Sequence, residues 1–332
     1  MAELARDEFI RGRIRTQSIE VLLNALTGLR ATLGDYLGAG TDEIALTHHT
    51  TEGMNIALWG LGLNRGDRVI TSTLEHLGAV VPLVQLQRRV GIELAFVDIG
   101  VGGNDETLAA LASALEKPTK VVAISHIPYG TGAVLPLKEI ADLCHSRGAL
   151  LLVDGAQSVG AIPLDLNDLG VDFYAFPGQK WLCGPEGTGG LYVRREHLDT
   201  LQTTQSGTLG IDYHAYRANE PQSVIPAEGA AKYEVGSIYR PGLAALLAGM
   251  HWHLEHVTKD ELPYRIHSLT AYARTLALEL PNTRVLTPEQ QHAGLISFIP
   301  AGLDPVATVE HLAVKDVMIR SIPENGAIRL SC

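Results

Sequence analysis

The stretch of sequence that decides the fold spans residues 149–192 and reads ALLLVDGAQSVGAIPLDLNDLGVDFYAFPGQKWLCGPEGTGGLY. It begins with an apolar run over 149–153, short enough to be a strand that is buried on both faces of a sheet. That run ends at Asp154, and a second apolar run over 171–176 leads towards Lys180. Open α/β sheets bind ligands at the carboxyl ends of parallel strands, so we expect Asp154 and Lys180 to meet at one crevice.

A buried Asp and a Lys at one crevice are two groups that a pyridoxal phosphate (PLP) enzyme requires. The Lys forms a Schiff base with the cofactor aldehyde, and the acid keeps the ring nitrogen protonated so that the ring can accept electrons. The spacing alone is equally compatible with a strand-end Asp that caps the next turn and a surface Lys in a Gly-rich loop.

Two motifs in this stretch resemble a known family. V-D-G-A-Q-S at 153–158 and F-x-G-x-K-W-x-x-G-P-x-G-x-G at 176–189 are similar to the signature of class V aminotransferase-like enzymes. This is the fold-type I PLP family of cysteine desulfurases, cystine C–S lyases and isopenicillin N epimerase-like proteins. The similarity extends, with gaps, from about Thr47 to Arg329.

The resemblance implies an α/β fold with a mostly parallel central sheet in a large PLP-binding domain, which we predict to span residues 1–240. A smaller α+β C-terminal domain is predicted over 241–332. The family has a further segment at each end, so we expect this chain to be truncated at both ends. Strands that alternate with helices from residue 67 to residue 194 agree with parallel β-α-β units.

The resemblance also implies roles for four residues around the cofactor ring. Lys180 would be the Schiff-base lysine, and Asp154 would pair with the pyridinium nitrogen. Gln157 would donate a hydrogen bond to the phenolic oxygen. His76, in an E-H pair at 75–76, would stack on the ring and relay protons. Lys180, His76 and Asp154 are therefore the predicted catalytic residues.

The cofactor phosphate has a predicted site of its own. Thr50 and Thr51 precede a helical pattern, and the free N–H groups and positive dipole end of a helix N-terminus bind anions, although Thr is also an ordinary helix cap. In the resembled family this turn binds the cofactor phosphate. A His and a Ser or Thr also help to hold the phosphate there, and this chain has Gln179 and Pro177 at those two positions. The segment K-Y-E-V-G-S at 232–237 resembles the family's R-F-E-x-G-T, whose last hydroxyl reaches the phosphate of the other subunit. Here that residue would be Ser237, which implies a homodimer with shared sites.

Two arginines near the end of the chain are predicted to bind substrate. Arg329, in I-R-L-S, aligns with the family arginine that holds the substrate carboxylate through a bidentate fork. Arg320 occupies the position of a second active-site arginine. Both residues could instead lie on the surface of strands. Tyr129 stands where many desulfurases have an Asn that touches the cofactor, so the role of that position is open.

The composition limits which binding partners and which cell compartment are expected. A formal net charge of −11 argues against nucleic acids and anionic membranes as partners, because both repel an acidic surface. Three cysteines are too few for a disulfide framework and fit a reducing compartment. The first residues carry charges where a signal peptide needs an apolar core, so we expect a cytoplasmic protein. Three histidines at 251–256 do not share one helix face, so we predict no metal site.

The reaction is predicted from what the last loop lacks. Desulfurases that form a persulfide carry a Cys just before the carboxylate arginine, and the loop over 321–328 has none. We therefore favour β-elimination from cysteine or cystine over transfer of sulfur to an enzyme thiol. An epimerase, an aminotransferase or a persulfide-forming desulfurase of the same family are the alternatives. A degenerate member that serves as a binding or assembly protein is a further alternative.

Overall fold

A seven-stranded, mostly parallel sheet forms the centre of the chain, which confirms the predicted α/β fold. The computed structural model describes residues 1–236, 238–257 and 261–332. The strands are β1 (Ile44–Thr47), β2 (Arg68–Ser72), β3 (Glu93–Val97), β4 (Val121–Ser125), β5 (Leu150–Asp154), β6 (Phe173–Pro177) and β7 (Gly189–Val193). They pair in the order β1-β7-β6-β5-β4-β2-β3, and β7 alone runs antiparallel to its neighbours in this sheet.

Helices cover both faces of this sheet, which explains why its strands are apolar throughout. Successive side chains of a strand point to opposite faces. Leu151 and Val153 of β5 accordingly lie in one buried cluster, and Leu152 lies in the other. The helices of this region are α1 (Ala2–Arg11), α2 (Thr16–Leu37), α3 (Thr50–Gly60), α4 (Leu77–Arg89), α5 (Asn104–Ala114), α6 (Leu137–Ser146) and α7 (Leu166–Leu169).

The apolar residues over 16–38 recur at helical spacing, which predicts an amphipathic helix, and α2 follows this spacing over its C-terminal half. Its buried side chains are Leu26, Leu29, Leu33 and Leu37. The helix ends at Gly38, whose left-handed backbone (φ 66°) suits a residue without a Cβ. Ile19 and Leu23, which the same spacing assigned to the apolar face, are 48% and 55% exposed. Among the described helices, none is both long enough and apolar enough to cross a membrane.

A second, antiparallel sheet of four strands follows in the C-terminal part of the chain. Its strands are β8 (Thr283–Val285), β9 (Leu295–Pro300), β10 (Arg320–Ile322) and β11 (Ala327–Ser331), in the order β10-β11-β9-β8. The helices are α8 (Arg240–His256), α9 (Glu261–Glu279) and α10 (Pro305–Ala313). The sequence predicts short strands near residues 284–286 and 295–299, close to β8 and β9, but no separate strand at β11, which lies inside the sheet.

The predicted domain boundary at residue 240 stays a prediction. That boundary assigns α8 to the C-terminal domain, yet Leu243, Leu246 and Met250 of α8 belong to the same buried cluster as Leu29 of α2. In the described structure, α8 therefore packs as part of the large sheet's covering layer.

Contacts from the loop after β4 hold the small sheet against the large one. The Thr287 hydroxyl donates to the Thr131 carbonyl over 2.6 Å, and Ala133 forms an isolated antiparallel bridge with His292. An Arg329 Nη1 group donates to the Tyr129 carbonyl over 3.0 Å. These contacts bring β11 close to the carboxyl ends of β4 and β5.

A buried ion pair fastens α2 to the segment that precedes α8. Arg30 donates to both carboxylate oxygens of Glu234, over 2.9 Å and 2.6 Å. The same carboxylate accepts from the backbone N–H of Leu46 in β1, and the Glu234 side chain is fully buried. Burial raises the pKa of Glu234, and the Arg30 guanidinium opposes that shift.

Replacing Arg30 with Met should destabilise the protein by about 3–5 kcal/mol, because it leaves a buried carboxylate without its cation. The matched control is Arg195→Met, which removes an ion pair with Asp42 whose side chains are 64% and 45% exposed. That change should cost less than about 1 kcal/mol. Urea unfolding of both variants measures the difference, and equal losses would contradict this account.

Candidate active site

A cavity of about 320 Å³ lies at the carboxyl ends of β4 and β5, where the small sheet meets the large one. Six of the predicted site residues line it: His76, Asp154, Gln157, Lys180, Arg320 and Arg329. The other lining residues are Ser125, Ile127, Tyr129, Ala156, Trp181 and Ser331. The expectation that Asp154 and Lys180 share one crevice is therefore met.

Asp154 is the last residue of β5 and is 4% exposed. One carboxylate oxygen, Oδ1, accepts from the backbone N–H of Ala156 over 2.9 Å. Burial raises the pKa of Asp154, whereas this hydrogen bond and the positive charges of Lys180 and His76 lower it. The carboxylate thus sits where a cation that enters the cavity would stabilise its charged form.

Lys180 follows β6 and reaches the cavity from the neighbouring strand end. Its side chain lines the cavity and is accessible to solvent there. Burial lowers the pKa of Lys180, and the guanidinium charges of Arg329 and Arg320 lower it further, against the opposing effect of Asp154. A lowered pKa increases the fraction of neutral amine, which is the nucleophilic and basic form.

His76 caps the N-terminus of α4 at the cavity wall. Its Nδ1 accepts from the backbone N–H of Gly78 over 3.0 Å, which assigns the proton of the neutral ring to Nε2. The ring meets Tyr129 edge-on, with centroids 5.1 Å apart. Burial lowers the pKa of His76, although the Asp154 charge opposes the shift. The imidazole is therefore favoured in its neutral form.

The two arginines come from adjacent strands of the small sheet. Arg320 in β10 is the direct antiparallel partner of Arg329 in β11, so both side chains lie on one face. Arg329 is 8% exposed, and its Nε has no hydrogen-bond partner among the described residues. Burial and the charge of Arg320 lower the pKa of Arg329. Asp154 lines the same cavity, but no salt bridge joins either arginine to a carboxylate among the described residues.

The predicted phosphate ligands are not part of the cavity lining. Thr50 and Thr51 form the first turn of α3, and Thr51 lies beside the N-terminus of α4, where a Cβ added to Gly78 would come within 2.7 Å of its hydroxyl. Gln179 has a buried Oε1 without a hydrogen-bond partner among the described residues. Ser237 lies outside the residues that the structure describes.

Glu75 received no role from the sequence beyond its place in the E-H pair. Its carboxylate is 7% exposed and accepts from the hydroxyls of Ser72 and Ser125, the latter over 2.6 Å. Burial raises the pKa of Glu75 to about 7 against the lowering effect of these hydrogen bonds, and the negative charge of Asp154 adds to the rise. The position of Ser72 and Ser125 at strand ends was the signal that could have identified this cluster.

The three cysteines lie away from the cavity lining. Cys144 is buried under the large sheet, and Cys183 is exposed. The Cys332 thiol hydrogen-bonds the side chain of Thr270 in α9, and burial raises the pKa of that thiol. Among the described residues, no thiol therefore faces the cavity.

The residues present fit PLP on chemical grounds. An aldehyde needs an amine, a pyridinium needs a carboxylate, and the cavity offers Lys180 and Asp154. The unpaired Nε–H of Arg329 needs an acceptor, which an anionic ligand supplies, whereas the unpaired Oε1 of Gln179 needs a donor. Gln157 adds an amide whose oxygen is already occupied by the Trp181 indole, at 2.9 Å.

The aminotransferase class-V family model matches residues 16–327 of this chain. The chain belongs to that family. As a class-V member it is a PLP-dependent enzyme that acts on an amino acid, in agreement with the prediction from its motifs.

Relatives of this class-V enzyme include named desulfurases. A probable cysteine desulfurase of Halalkalibacterium halodurans is 32% identical over 289 residues, which cover 85% of this chain and 69% of that protein. A probable cysteine desulfurase of Pyrococcus abyssi is 30% identical over 88% of this chain and 72% of the relative. One from Mycolicibacterium paratuberculosis is 30% identical, and this chain spans only 42% of its length.

Solved structures share the whole fold of this class-V enzyme. The cystine C–S lyase C-DES, in complex with its product cysteine persulfide, superposes with a TM-score of 0.93 at 31% identity, over 100% of this chain and 87% of that one. A C-DES mutant with glycine covalently linked to its PLP cofactor gives the same TM-score and identity, over 86% of that chain. The apo cysteine desulfurase of Thermococcus onnurineus gives 0.86 at 26% identity, over 100% of this chain and 86% of the other.

Replacing Glu75 with Gln should change how stability depends on pH. Its folded pKa of about 7 lies above the ordinary 4.5, so the folded protein keeps a proton that the unfolded chain releases, and stability falls as pH rises between these values. Gln cannot titrate. The unfolding free energy of the variant relative to the parent should therefore rise by up to about 3 kcal/mol across this range. Urea unfolding of the cofactor-free proteins at both ends of the range measures it; a pH-independent difference would contradict the assignment.

Proposed function

We propose that this enzyme cleaves the C–S bond of cystine or cysteine by β-elimination. The observation that carries the proposal is a single cavity lined by an amine, a buried carboxylate and two arginines, with no thiol facing it among the described residues. The likeness to a cystine C–S lyase over the whole chain supports the same reaction.

In this proposal, each cavity residue binds a different part of the cofactor. Bound PLP supplies an electron sink that stabilises negative charge at the substrate Cα. Lys180 would hold its aldehyde end, Asp154 its ring nitrogen and Gln157 its phenolic oxygen, with His76 against the ring face. Thr50, Thr51 and Gln179 are the proposed phosphate ligands, together with Ser237 of a second subunit.

Lys180 is the proposed base that removes the Cα proton. Burial and two neighbouring guanidinium groups lower its pKa, so more of the amine is neutral near pH 7 than in a lysine with the ordinary pKa. His76, neutral and protonated on Nε2, is placed to pass a proton to or from a group beside the ring.

The arginines are proposed to bind the acidic groups of the substrate. Arg329 is anchored through Nη1 on the Tyr129 carbonyl, which leaves its other N–H groups for the α-carboxylate. Arg320, directly across the strand pair, adds a second positive charge on the same face. Their fork geometry suits bidentate recognition of a carboxylate.

β-Elimination accounts for all atoms without an enzyme thiol. The Cα–H and Cβ–S bonds break, and cystine plus water yields pyruvate, ammonia and cysteine persulfide. A persulfide-forming desulfurase instead needs a nucleophilic cysteine at the cavity. Cys332, the closest cysteine in sequence to Arg329, directs its thiol to Thr270.

The cofactor-loaded enzyme should release one pyruvate for each cystine consumed. Lys180→Ala should lower the rate by a factor on the order of 10² to 10⁴ and abolish the visible absorbance band that borohydride removes from the parent. Cys183→Ser and Cys332→Ser are the matched controls and should retain the parent rate. Alanine as the product, with activity lost in a cysteine variant, would favour a persulfide-forming desulfurase. A D-amino acid or an amino-group transfer would favour the epimerase or aminotransferase alternatives.

We also propose that the enzyme is a cytoplasmic homodimer. Its three free thiols suit a reducing compartment. Thr51, a proposed phosphate ligand, shares a surface groove with Val81, which is 51% exposed. A second subunit on this groove, whose lining is part apolar and part polar, would come within reach of the phosphate, as the resemblance of the segment around Ser237 implies.

Light scattering should give a mass about twice the 35.7 kDa of the chain. Val81→Asp should shift the protein towards the monomer, because it places a charge in the proposed contact. The control is Leu303→Asp, at a position that is 57% exposed in the small C-terminal region. A monomeric parent would refute the proposed dimer, and an intact dimer in Val81→Asp would refute this surface.

A further inference from the structure

The indole of Trp181 joins the Lys180 loop to the far side of the cavity. Its Nε1–H donates to Oε1 of Gln157 over 2.9 Å. Trp181 also lines the cavity and packs beside a small buried cluster that includes Ile127 and Leu295. The sequence motif contained this residue, but no role followed from it.

Two glycines leave the space that Trp181 occupies. A Cβ added to Gly294 would lie 2.6 Å from Cζ2 of the indole, and one added to Gly160 would lie 2.5 Å from the Trp181 backbone carbonyl carbon. Both glycines have positive φ, 68° and 92°, where side chains are disfavoured. Gly294 thus lets the backbone approach the indole ring and Gly160 lets it approach the main chain of the same residue, so both the ring and the peptide that carries it are closely packed.

The chemistry of the two partners determines which way Gln157 points. An indole N–H can only donate, whereas a Gln amide has one accepting end and one donating end. The bond to Trp181 therefore occupies the amide oxygen of Gln157. The NH₂ group of this largely buried residue, which is 8% exposed, is left as its hydrogen-bonding group for the cavity.

We propose that Trp181 is a positioning residue that fixes the Gln157 amide so that its NH₂ group donates to an anionic oxygen of the bound cofactor. This proposal rests on the proposed function, since it takes PLP as the occupant and its phenolic oxygen as the acceptor. A fixed donor stabilises the negative charge on that oxygen. It thereby lowers the pH at which the visible spectrum of the bound cofactor changes between its protonated and deprotonated forms.

The test is a pH titration of the visible spectrum of the holoenzyme. Trp181→Phe keeps an aromatic ring against Gly294 but removes the N–H donor, so the amide of Gln157 is free to turn its oxygen to the cavity. The spectral midpoint should rise by roughly 0.5 to 1 pH unit, the value of one hydrogen bond of about 1 kcal/mol. In Gln157→Leu, the further change Trp181→Phe should produce no additional shift.

Trp59 provides a matched control. Its indole N–H also donates to a side-chain amide oxygen, that of Asn55, over 3.2 Å, but both residues lie on the surface groove and not at the cavity. Trp59→Phe should leave the spectral midpoint unchanged. An equal shift in Trp59→Phe, or a Trp181→Phe shift that persists in Gln157→Leu, would overturn the proposal.

A second variant covers the case in which Trp181→Phe does not fold. Gln157→Glu keeps an acceptor for the indole but has no NH₂ group, so the midpoint should rise, and an unchanged midpoint would overturn the proposal. A failure of this proposal can be distinguished from a failure of the proposed function. A parent protein that binds PLP without any visible band that borohydride removes would refute the use of the cofactor itself, whatever the variants do.

Discussion

A carboxylate buried at the end of a strand needs a positive charge, and the site is arranged around that need. Asp154 is 4% exposed and has one described hydrogen bond, from the Ala156 backbone. Isolated buried anions are costly, so the folded site favours any cation that can reach this oxygen pair. Around it, burial favours neutral Lys180 and neutral His76. The proposed chemistry follows from this arrangement, with a carboxylate at one end of the cavity and a lysine of lowered pKa near it.

Both sheets form the cavity, because the large sheet supplies only part of its lining. β4, β5 and β6 end at one edge and supply a serine, a carboxylate and the lysine loop. The arginines come from β10 and β11, which the loop after β4 holds in place through Thr131 and Tyr129. The proposed substrate recognition and the proposed proton transfer therefore depend on separate sheets, and hydrogen bonds such as those of Thr131 and Tyr129 hold the two sheets together.

The sequence predicted the large sheet well because its signals are local. Apolar runs that end in a polar residue identified β5 and β6, and strand-end logic brought Asp154 and Lys180 together. The family resemblance led to Arg329, but the strand that carries it was not assigned. β11 is short, and besides its hairpin partner β10 it pairs with β9, which is distant in sequence, so its place inside the sheet cannot be read from its own residues. The Trp181 to Gln157 bond links two loops, and only their packing in three dimensions reveals it.

The register of the last hairpin has a consequence for how anions bind. Like charges directly opposite each other on neighbouring strands repel, and Arg320 faces Arg329 in this way. A ligand that brings negative charge between them gains two attractions and also removes a repulsion already present in the empty hairpin. The hairpin thus carries an electrostatic repulsion between its two arginines, and an acidic ligand bound between them would offset that repulsion. The strand pairing alone would therefore favour ligands that carry an acidic group over neutral amines, whatever contacts the rest of the substrate makes.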